Sequence, residues 1–114
     1  MSVVAEAVAM VTEMAVDAVV FREDLYPRIK HDPALVQRYA QNIEALPPIQ
    51  VNQQGILIDG WHRWTAHRSV GVPTIRAMIR ETQHERDIYG LAVETNASHG
   101  WQMDQESKIG RAHV

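Results

Sequence analysis

Hydrophobic residues recur along this chain at spacings that predict one secondary-structure element after another. The Val-rich segment EMAVDAVVF, residues 13–21, is typical of a strand. Asp32 followed by Pro33 is typical of a helix start, because Asp caps free N–H groups and Pro is tolerated at the first helical position. Apolar residues at helical spacing then predict a helix that runs to Leu46, where two prolines end it.

The middle of the chain predicts a β-hairpin followed directly by a helix. Residues 49–59, IQVNQQGILID, alternate on both sides of a polar turn in which Gly55 is expected to supply a positive φ. Over residues 61–70 the apolar spacing becomes helical, and Gly71 is placed to end that helix. The second strand of the hairpin is therefore expected to lead straight into a helix.

The last third of the chain predicts a strand and two helices. Residues 72–81 alternate with a period of two, and Thr82 with Glu85 matches a capping box for the next helix. The apolar stripe of that helix is formed by Ile88, Leu91, Ala92 and Thr95. Asp104 could cap one more helix, which has few apolar residues before the chain ends. The order strand, helix, hairpin, helix, strand, helix, helix predicts a small α+β domain.

Composition limits the functions open to this protein. Its 114 residues, 46% of them hydrophobic, suit one domain with its own core, and the absence of Cys rules out a disulfide framework, a thiolate zinc site and a thiol nucleophile. Fourteen acidic against eleven basic residues give a net charge of −3, which is unfavourable for gripping DNA through its phosphates. No apolar run approaches the ~20 residues of a membrane span, and the N-terminus lacks the basic start of a signal peptide. We therefore expect a cytoplasmic protein with no membrane partner.

The segment DGWHR at 59–63 concentrates polar chemistry at a predicted strand–helix turn. Gly60 permits a tight turn and close approach by a ligand, and the free N–H groups of the following helix attract anions. Arg63 adds a fork of donors suited to phosphate oxygens, and His62 adds another donor. Asp59 could orient His62, hold a metal ion or accept a proton from a bound hydroxyl. This combination predicts phosphate binding or phosphoryl transfer.

A purely structural interpretation of the same segment is also open. In that case Asp59 caps the helix, Arg63 pairs with a surface carboxylate and Trp61 packs against its neighbours. A second polar cluster, ETNASHGW, has the same ambiguity, since Asn96 and His99 share a helix face but Asn and Gly commonly end helices. The histidines show no i, i+4 pairing of the zinc-binding type, so we expect no transition-metal site.

Together these segments resemble the ParB N-terminal-like domain, the fold shared by ParB partition proteins and sulfiredoxins. LIDGWHRWTAHRSVGVPTIRAMI is similar to the Gly-x-x-Arg segment of that family with its helix and next strand. ETNASHG falls where ParB proteins carry their Glu-Asn-x-x-Arg motif. The resemblance covers residues 14–112 and implies a mixed sheet with a β-hairpin flanked by helices. Residues 1–13 are interpreted as an N-terminal arm whose secondary structure the sequence does not define. The last helix is expected to be truncated.

The resemblance also implies a nucleotide site. In ParB proteins the two motifs flank CTP with magnesium, and nucleotide binding switches a dimeric clamp on DNA. Carried over to this chain, the triphosphate would contact Gly60, Trp61, His62 and Arg63, with Asn96 and His99 opposite. His62 replaces the usual Arg, and Thr95 stands where the metal-associated Glu would be, so the base preference and the role of Mg²⁺ stay open. DNA contact is expected only through a C-terminal region that this chain lacks, and a homodimer is an open expectation.

An enzyme is the alternative within the same fold. Free serine kinases of this type carry Asp-Gly-x-His-Arg, which makes a phosphotransferase or nucleotide hydrolase an alternative function, with Asp59 accepting the proton of the serine hydroxyl. Some members are called nucleases, but the sequence has no obvious metal-binding carboxylate cluster. Sulfiredoxins carry a catalytic Cys where this chain has Trp61, which excludes their activity.

Overall fold

The computed structural model describes residues 11–96 as a four-stranded sheet with helices packed against it. The strands are β1 (Val11–Ala15), β2 (Ile49–Val51), β3 (Leu57–Asp59) and β4 (Thr74–Ile79). The helices are α1 (Pro33–Ala40), α2 (Trp61–Val70) and α3, which covers residues 85–96. Short 3-10 turns lie at Val16–Ala18, Glu23–Leu25 and Ile43–Ala45. The helix predicted to start at Asp104 lies outside the described residues.

The sheet is mixed and has the strand order β1-β4-β2-β3. β4 runs antiparallel to β1 and parallel to β2, while β2 and β3 form the antiparallel hairpin. The chain crosses from β3 to β4 through α2, which is how a strand parallel to β2 can follow the hairpin. The α+β class, the mixed sheet and the hairpin expected from the sequence are confirmed.

A buried asparagine organises the turn of the hairpin. Asn52 is 1% exposed, and its Oδ1 accepts hydrogen bonds from the backbone N–H groups of Gln54 and Ile56, each at 2.9 Å. Gly55 has φ of +83°, as the sequence predicted. The side chain of Asn52 therefore closes the polar turn and fixes the register with which β3 begins after it.

β3 is buried on both faces and divides the core into two clusters. Leu57 belongs to a cluster that contains Trp64 of α2, whereas Ile58 belongs to one that contains Ile88 and Ala92 of α3. Because successive side chains of a strand point to opposite faces, α2 and α3 lie on opposite sides of β3. The end of this strand is thus enclosed by two helices, and α1 packs on α2 beyond them.

The prediction of a single strand over residues 13–21 is wrong, because the structure breaks this segment after Ala15. β1 begins at Val11, ahead of the expected boundary at residue 14, and ends at Ala15. The chain then makes a 3-10 turn, and Val20 forms a parallel bridge with Ile56. β1 and Val20 lie at opposite edges of the sheet, so the segment must break in order to cross from one edge to the other. Local Val content could not reveal that crossing.

Two predicted helix boundaries are also corrected. Asp32 caps α1 as predicted, its Oδ1 accepting the N–H of Leu35 at 3.2 Å. The helix ends at Ala40, however, and a separate 3-10 turn follows at Ile43–Ala45. Thr82 does not cap α3, because it is buried and bonded to the hairpin turn; Asn52 Nδ2 donates to its hydroxyl at 3.2 Å. Asp87 instead accepts the N–H groups just ahead of the helix.

Gly60, between β3 and α2, should be the least replaceable glycine of the described chain. It has φ of +109°, and a Cβ there would lie 2.6 Å from Cγ2 of Ile49. We expect Gly60→Ala to lower the free energy of unfolding by about 2 to 5 kcal/mol through backbone strain and overpacking. Gly71→Ala is the matched control, because φ is +86° but no atom lies within 4 Å of its Cβ, and it should cost about 1 to 2 kcal/mol. Chemical denaturation measures both, and equal losses would contradict the close contact with Ile49.

Candidate functional site

Gly60, at the N-cap position of α2, has no side chain that could cap the first N–H groups of the helix. β3 ends at Asp59, Gly60 takes the left-handed conformation, and its carbonyl accepts the N–H of Trp64 at 2.8 Å. The N–H groups of residues 61–63 have no partner within the helix. That of Trp61 donates to the hydroxyl of Tyr26 at 3.2 Å. The start of α2 therefore offers backbone donors and the positive end of the helix dipole.

Arg63 folds back onto the protein. Its Nη2 lies 3.2 Å from Oδ2 of Asp59, and its Nη1 donates to the carbonyl oxygens of Pro47 and Pro48, at 3.4 and 3.1 Å. The side chains of Arg63 and Asp59 are 12% and 5% exposed. The guanidinium therefore joins the end of β3 to the connection before β2. It pairs with a carboxylate of its own turn, which is buried, whereas the structural interpretation expected a surface carboxylate.

Trp61 and His62 pack against the segment that precedes α1. The Trp61 ring stacks on His31 with centroids 4.3 Å apart and planes 6° apart, and His62 meets its edge at 5.0 Å. Nε2 of His62 accepts the backbone N–H of Asp32 at 3.1 Å. Burial lowers the pKa of His62, against an opposing effect of the Asp32 carboxylate. The ring is thus held in its neutral form.

The structure brings Asn96 close to the same turn. Its Oδ1 accepts a hydrogen bond from the Tyr26 hydroxyl at 3.2 Å, and its Nδ2 donates to the carbonyls of Ile58 and Ala92 at 3.0 and 2.7 Å. Its amide therefore ties α3 to β3. His99, the other residue predicted in this cluster, lies outside the described residues.

Tyr26 is the residue at this turn that sequence reasoning missed. Its hydroxyl accepts from the start of α2 and donates to Asn96 of α3, so it connects the two predicted clusters. Burial raises its pKa to about 12, and the nearby Asp59 carboxylate adds to the shift. In the sequence it appears only as the residue before Pro27, and an aromatic residue inside a polar stretch was the one available signal.

Further features bear on the choice between binding and catalysis. Over residues 11–96, no three His, Cys, Asp or Glu side chains are grouped so that they could hold a metal ion. A cleft of about 200 Å³ has none of residues 59–63 in its lining, although it includes Pro47, whose carbonyl Arg63 contacts. The residues lining the cleft include Glu13, Glu44, His67 and Arg76. Within the described chain, no helix is both long and apolar enough to span a membrane.

The fold and this turn define a class of small α+β domain with a polar strand–Gly–helix junction. A model of the ParB N-terminal domain family matches residues 3–96, a range that begins inside the segment expected to be an arm. The chain therefore belongs to the ParB N-terminal domain family. A search of curated proteins finds no match.

Solved structures with the same fold include ParB proteins and a sulfiredoxin. The C-terminally truncated chromosome-partitioning protein ParB from Caulobacter crescentus, complexed with CTP-γ-S, is similar with a TM-score of 0.63 and 19% identity over 79% of this chain and 54% of that one. The same protein complexed to the centromeric parS site has a TM-score of 0.57 and 20% identity, over 72% and 44%. Sulfiredoxin from Arabidopsis thaliana has a TM-score of 0.55 and 26% identity, over 65% and 88%. The chain spans about half the length of the first ParB structure.

Tyr26→Phe should destabilise the protein although it keeps the ring. The change removes the acceptor for the Trp61 N–H and the donor to Asn96, and we expect a loss of about 2 to 4 kcal/mol in the free energy of unfolding. The control is Tyr89→Phe, because Tyr89 is 47% exposed and should change stability by less than about 0.5 kcal/mol. Urea denaturation of both variants tests this, and similar small losses would rule out a buried connection through Tyr26.

The same tyrosine should make stability depend on alkaline pH. Its folded-state pKa of about 12 exceeds the unfolded value of roughly 10, so its contribution is complete below pH ~10 and falls as the pH rises towards 12. Tyr26→Phe should lose this part of the pH dependence. Denaturation midpoints between about pH 9 and pH 12 measure the difference.

Proposed function

We propose that this domain binds a nucleoside triphosphate, with CTP as the first candidate, and that the phosphates lie at the start of α2. The observation that carries the proposal is a helix start whose N-cap residue, Gly60, supplies no side-chain cap, with Arg63 beside it and Asn96 held close by through Tyr26. Such a start attracts anions through its N–H groups and its dipole. The expected ligand set is Gly60, Trp61, His62, Arg63, Asn96 and His99.

Two kinds of group at the turn would determine how phosphate binds: backbone donors and side chains that already have partners within the protein. The backbone N–H groups of His62 and Arg63 have no partner within α2 and suit phosphate oxygens. The side chains of the same residues contact Asp32, Asp59 and two carbonyls, and these contacts must be exchanged or extended when an anion arrives. Binding is therefore expected to be accompanied by local rearrangement of the segment before α1.

Membership of the family supports the wider role. The Caulobacter ParB structure contains CTP-γ-S, and the same protein is known in complex with the parS site. By analogy, this domain would sense a nucleotide in a DNA-partition or DNA-regulatory protein of the cytoplasm. DNA would be contacted through a C-terminal region, and a homodimer would form the functional unit. Mg²⁺ would accompany the triphosphate and neutralise part of its charge.

A phosphotransferase or nucleotide hydrolase remains the second candidate. The observation that favours it is the carboxylate of Asp59, which lies within the turn and is almost completely buried. In that case Asp59 would have to exchange its contact with Arg63 for the hydroxyl of a substrate such as serine. Asp59 does not line the cleft of about 200 Å³ described above, so that cleft gives this candidate no support. A nuclease has no metal-binding cluster in residues 11–96 to support it.

Calorimetric titration of each of the common ribonucleoside triphosphates with Mg²⁺ tests the proposal directly. Saturable binding of one nucleotide, with no product after prolonged incubation, is the expected result. Release of a nucleoside diphosphate would favour the hydrolase, and phosphoserine formed on addition of serine would favour the kinase. Failure of every nucleotide to bind would overturn the proposed function.

Arg63→Ala should weaken nucleotide binding, whereas Arg68→Ala should not. Loss of a charge-assisted contact to phosphate should reduce affinity by about 10- to 100-fold. Arg68 lies about one turn further along α2, where its guanidinium is 4.5 Å from the centre of the Trp64 ring, so its removal should change affinity less than about twofold. Titration of CTP into both variants makes the comparison, and equal affinities would mean that the turn has a structural role alone.

The internal contacts of Arg63 call for a further variant. Arg63→Ala also removes the pair with Asp59 and should lower stability, which circular dichroism and thermal unfolding will reveal. Arg63→Lys keeps the charge but loses the planar fork, so it should bind CTP with intermediate affinity. If all three proteins are folded at the temperature of the titration, this ordering of affinities supports a phosphate contact.

The isolated 114-residue chain should bind duplex DNA feebly at physiological salt. Its net charge is −3, and phosphate neutralisation requires clustered Lys and Arg. Fluorescence anisotropy with labelled duplexes, with and without CTP, measures the affinity. A specific complex with a dissociation constant below about 1 μM would contradict this expectation.

A further inference from the structure

The start of α2 is held to the segment before α1 by a hydrogen bond that depends on protonation. The donor is the backbone N–H of Asp32 and the acceptor is Nε2 of His62, 3.1 Å away. A ring nitrogen can accept such a bond only while it carries no proton. Protonation of His62 would place two N–H groups face to face and break the contact.

The neighbouring aromatic contact does not have this property. His31 stacks on Trp61 in parallel at 4.3 Å, and a protonated imidazole on an indole face remains favourable as a cation–π contact. The contact of His31 therefore survives a fall in pH, whereas the contact of His62 does not. Of the two imidazoles that touch Trp61, His62 is the one that can act as a switch.

The charged and polar groups around His62 determine how readily its ring is protonated. From the segment before α1, the Asp32 carboxylate and the Lys30 carbonyl favour the protonated ring, and His31 opposes it. On α2, the guanidinium of Arg63 is turned towards Asp59, and the helix dipole opposes a positive charge at this end. Burial is the largest influence and lowers the pKa of His62, so the ring is neutral and the hydrogen bond intact at neutral pH without ligand.

An anion at the start of α2 reverses this balance. A phosphate there would favour a protonated His62, both by its charge and by accepting a hydrogen bond from the ring. We propose that His62 and Asp32 form a proton-controlled latch, in which the binding of nucleotide phosphate is coupled to protonation of the His62 ring and breaks its hydrogen bond to the backbone N–H of Asp32. This inference rests on the proposed function, since it concerns the regulation of the same site.

His62→Gln removes the ionisable ring of the latch but keeps groups that can accept and donate hydrogen bonds at this position of the proposed ligand set. The Gln carbonyl can still accept the N–H of Asp32, but the side chain cannot gain a proton in this pH range. CTP binding by the wild type should become about tenfold stronger, relative to His62→Gln, between pH 8 and pH 6. Taking the ratio of the two proteins cancels the titration of the nucleotide phosphates themselves. His84→Gln is the control, because His84 is exposed in the turn before α3 and should behave like the wild type.

Two further measurements make the test specific. Calorimetry in buffers of different ionisation enthalpy should detect proton uptake on CTP binding by the wild type and less uptake by His62→Gln. Without ligand, the NMR shift of the Asp32 amide should follow the titration of the His62 ring. If the chemical shift of the Asp32 amide does not change as the His62 ring titrates, the latch is wrong.

The possible failures are distinguishable. If CTP binds the wild type and His62→Gln with the same pH dependence, the latch is wrong and the nucleotide site stands. If CTP binds neither protein at any pH, the proposed function fails and the latch fails with it.

Discussion

The close approach of Gly60 to Ile49 is the constraint on which the rest of the site depends. Ile49 is completely buried in β2, and the chain leaving β3 passes so near it that no side chain fits. This path fixes the point at which α2 begins. It sets the first N–H of the helix against Tyr26 and places Arg63 one turn beyond Asp59. A turn with room for a Cβ would start the helix elsewhere and separate these pairs.

The hydrogen bonds around this turn follow from the cost of leaving buried polar groups unsatisfied. An N–H or guanidinium group without an acceptor loses the hydrogen bonds it made to water, so each one near the core must find a partner within the protein. Tyr26, the proline carbonyls and Asp59 supply those partners. For the proposed phosphate to bind, it would have to offer these donors better hydrogen bonds than their internal acceptors do, so the internal acceptors would contribute to the specificity of the candidate site.

The parts of the fold that could be predicted are those with local causes. Asp32 and Pro33 start α1 because capping and a fixed φ act within one turn, and Asn52 and Gly55 shape the hairpin for similar reasons. The break after Ala15 and the burial of Thr82 have distant causes. The first follows from the place of β1 in the sheet, and the second from a hydrogen bond to a turn thirty residues earlier. Periodicity carries no information about either.

The sequence by itself determined the class of the domain, the hairpin, and a donor-rich turn at residues 59–63, because spacing, turn residues and side-chain chemistry are local properties. Tertiary structure alone decided how that turn is used. It joined Asn96 to the start of α2 through the buried hydroxyl of Tyr26, and it directed Arg63 to Asp59 and His62 to Asp32. Those choices depend on which groups the packed sheet brings within about 3 Å of one another, a distance at which hydrogen bonds form and which chain order does not encode.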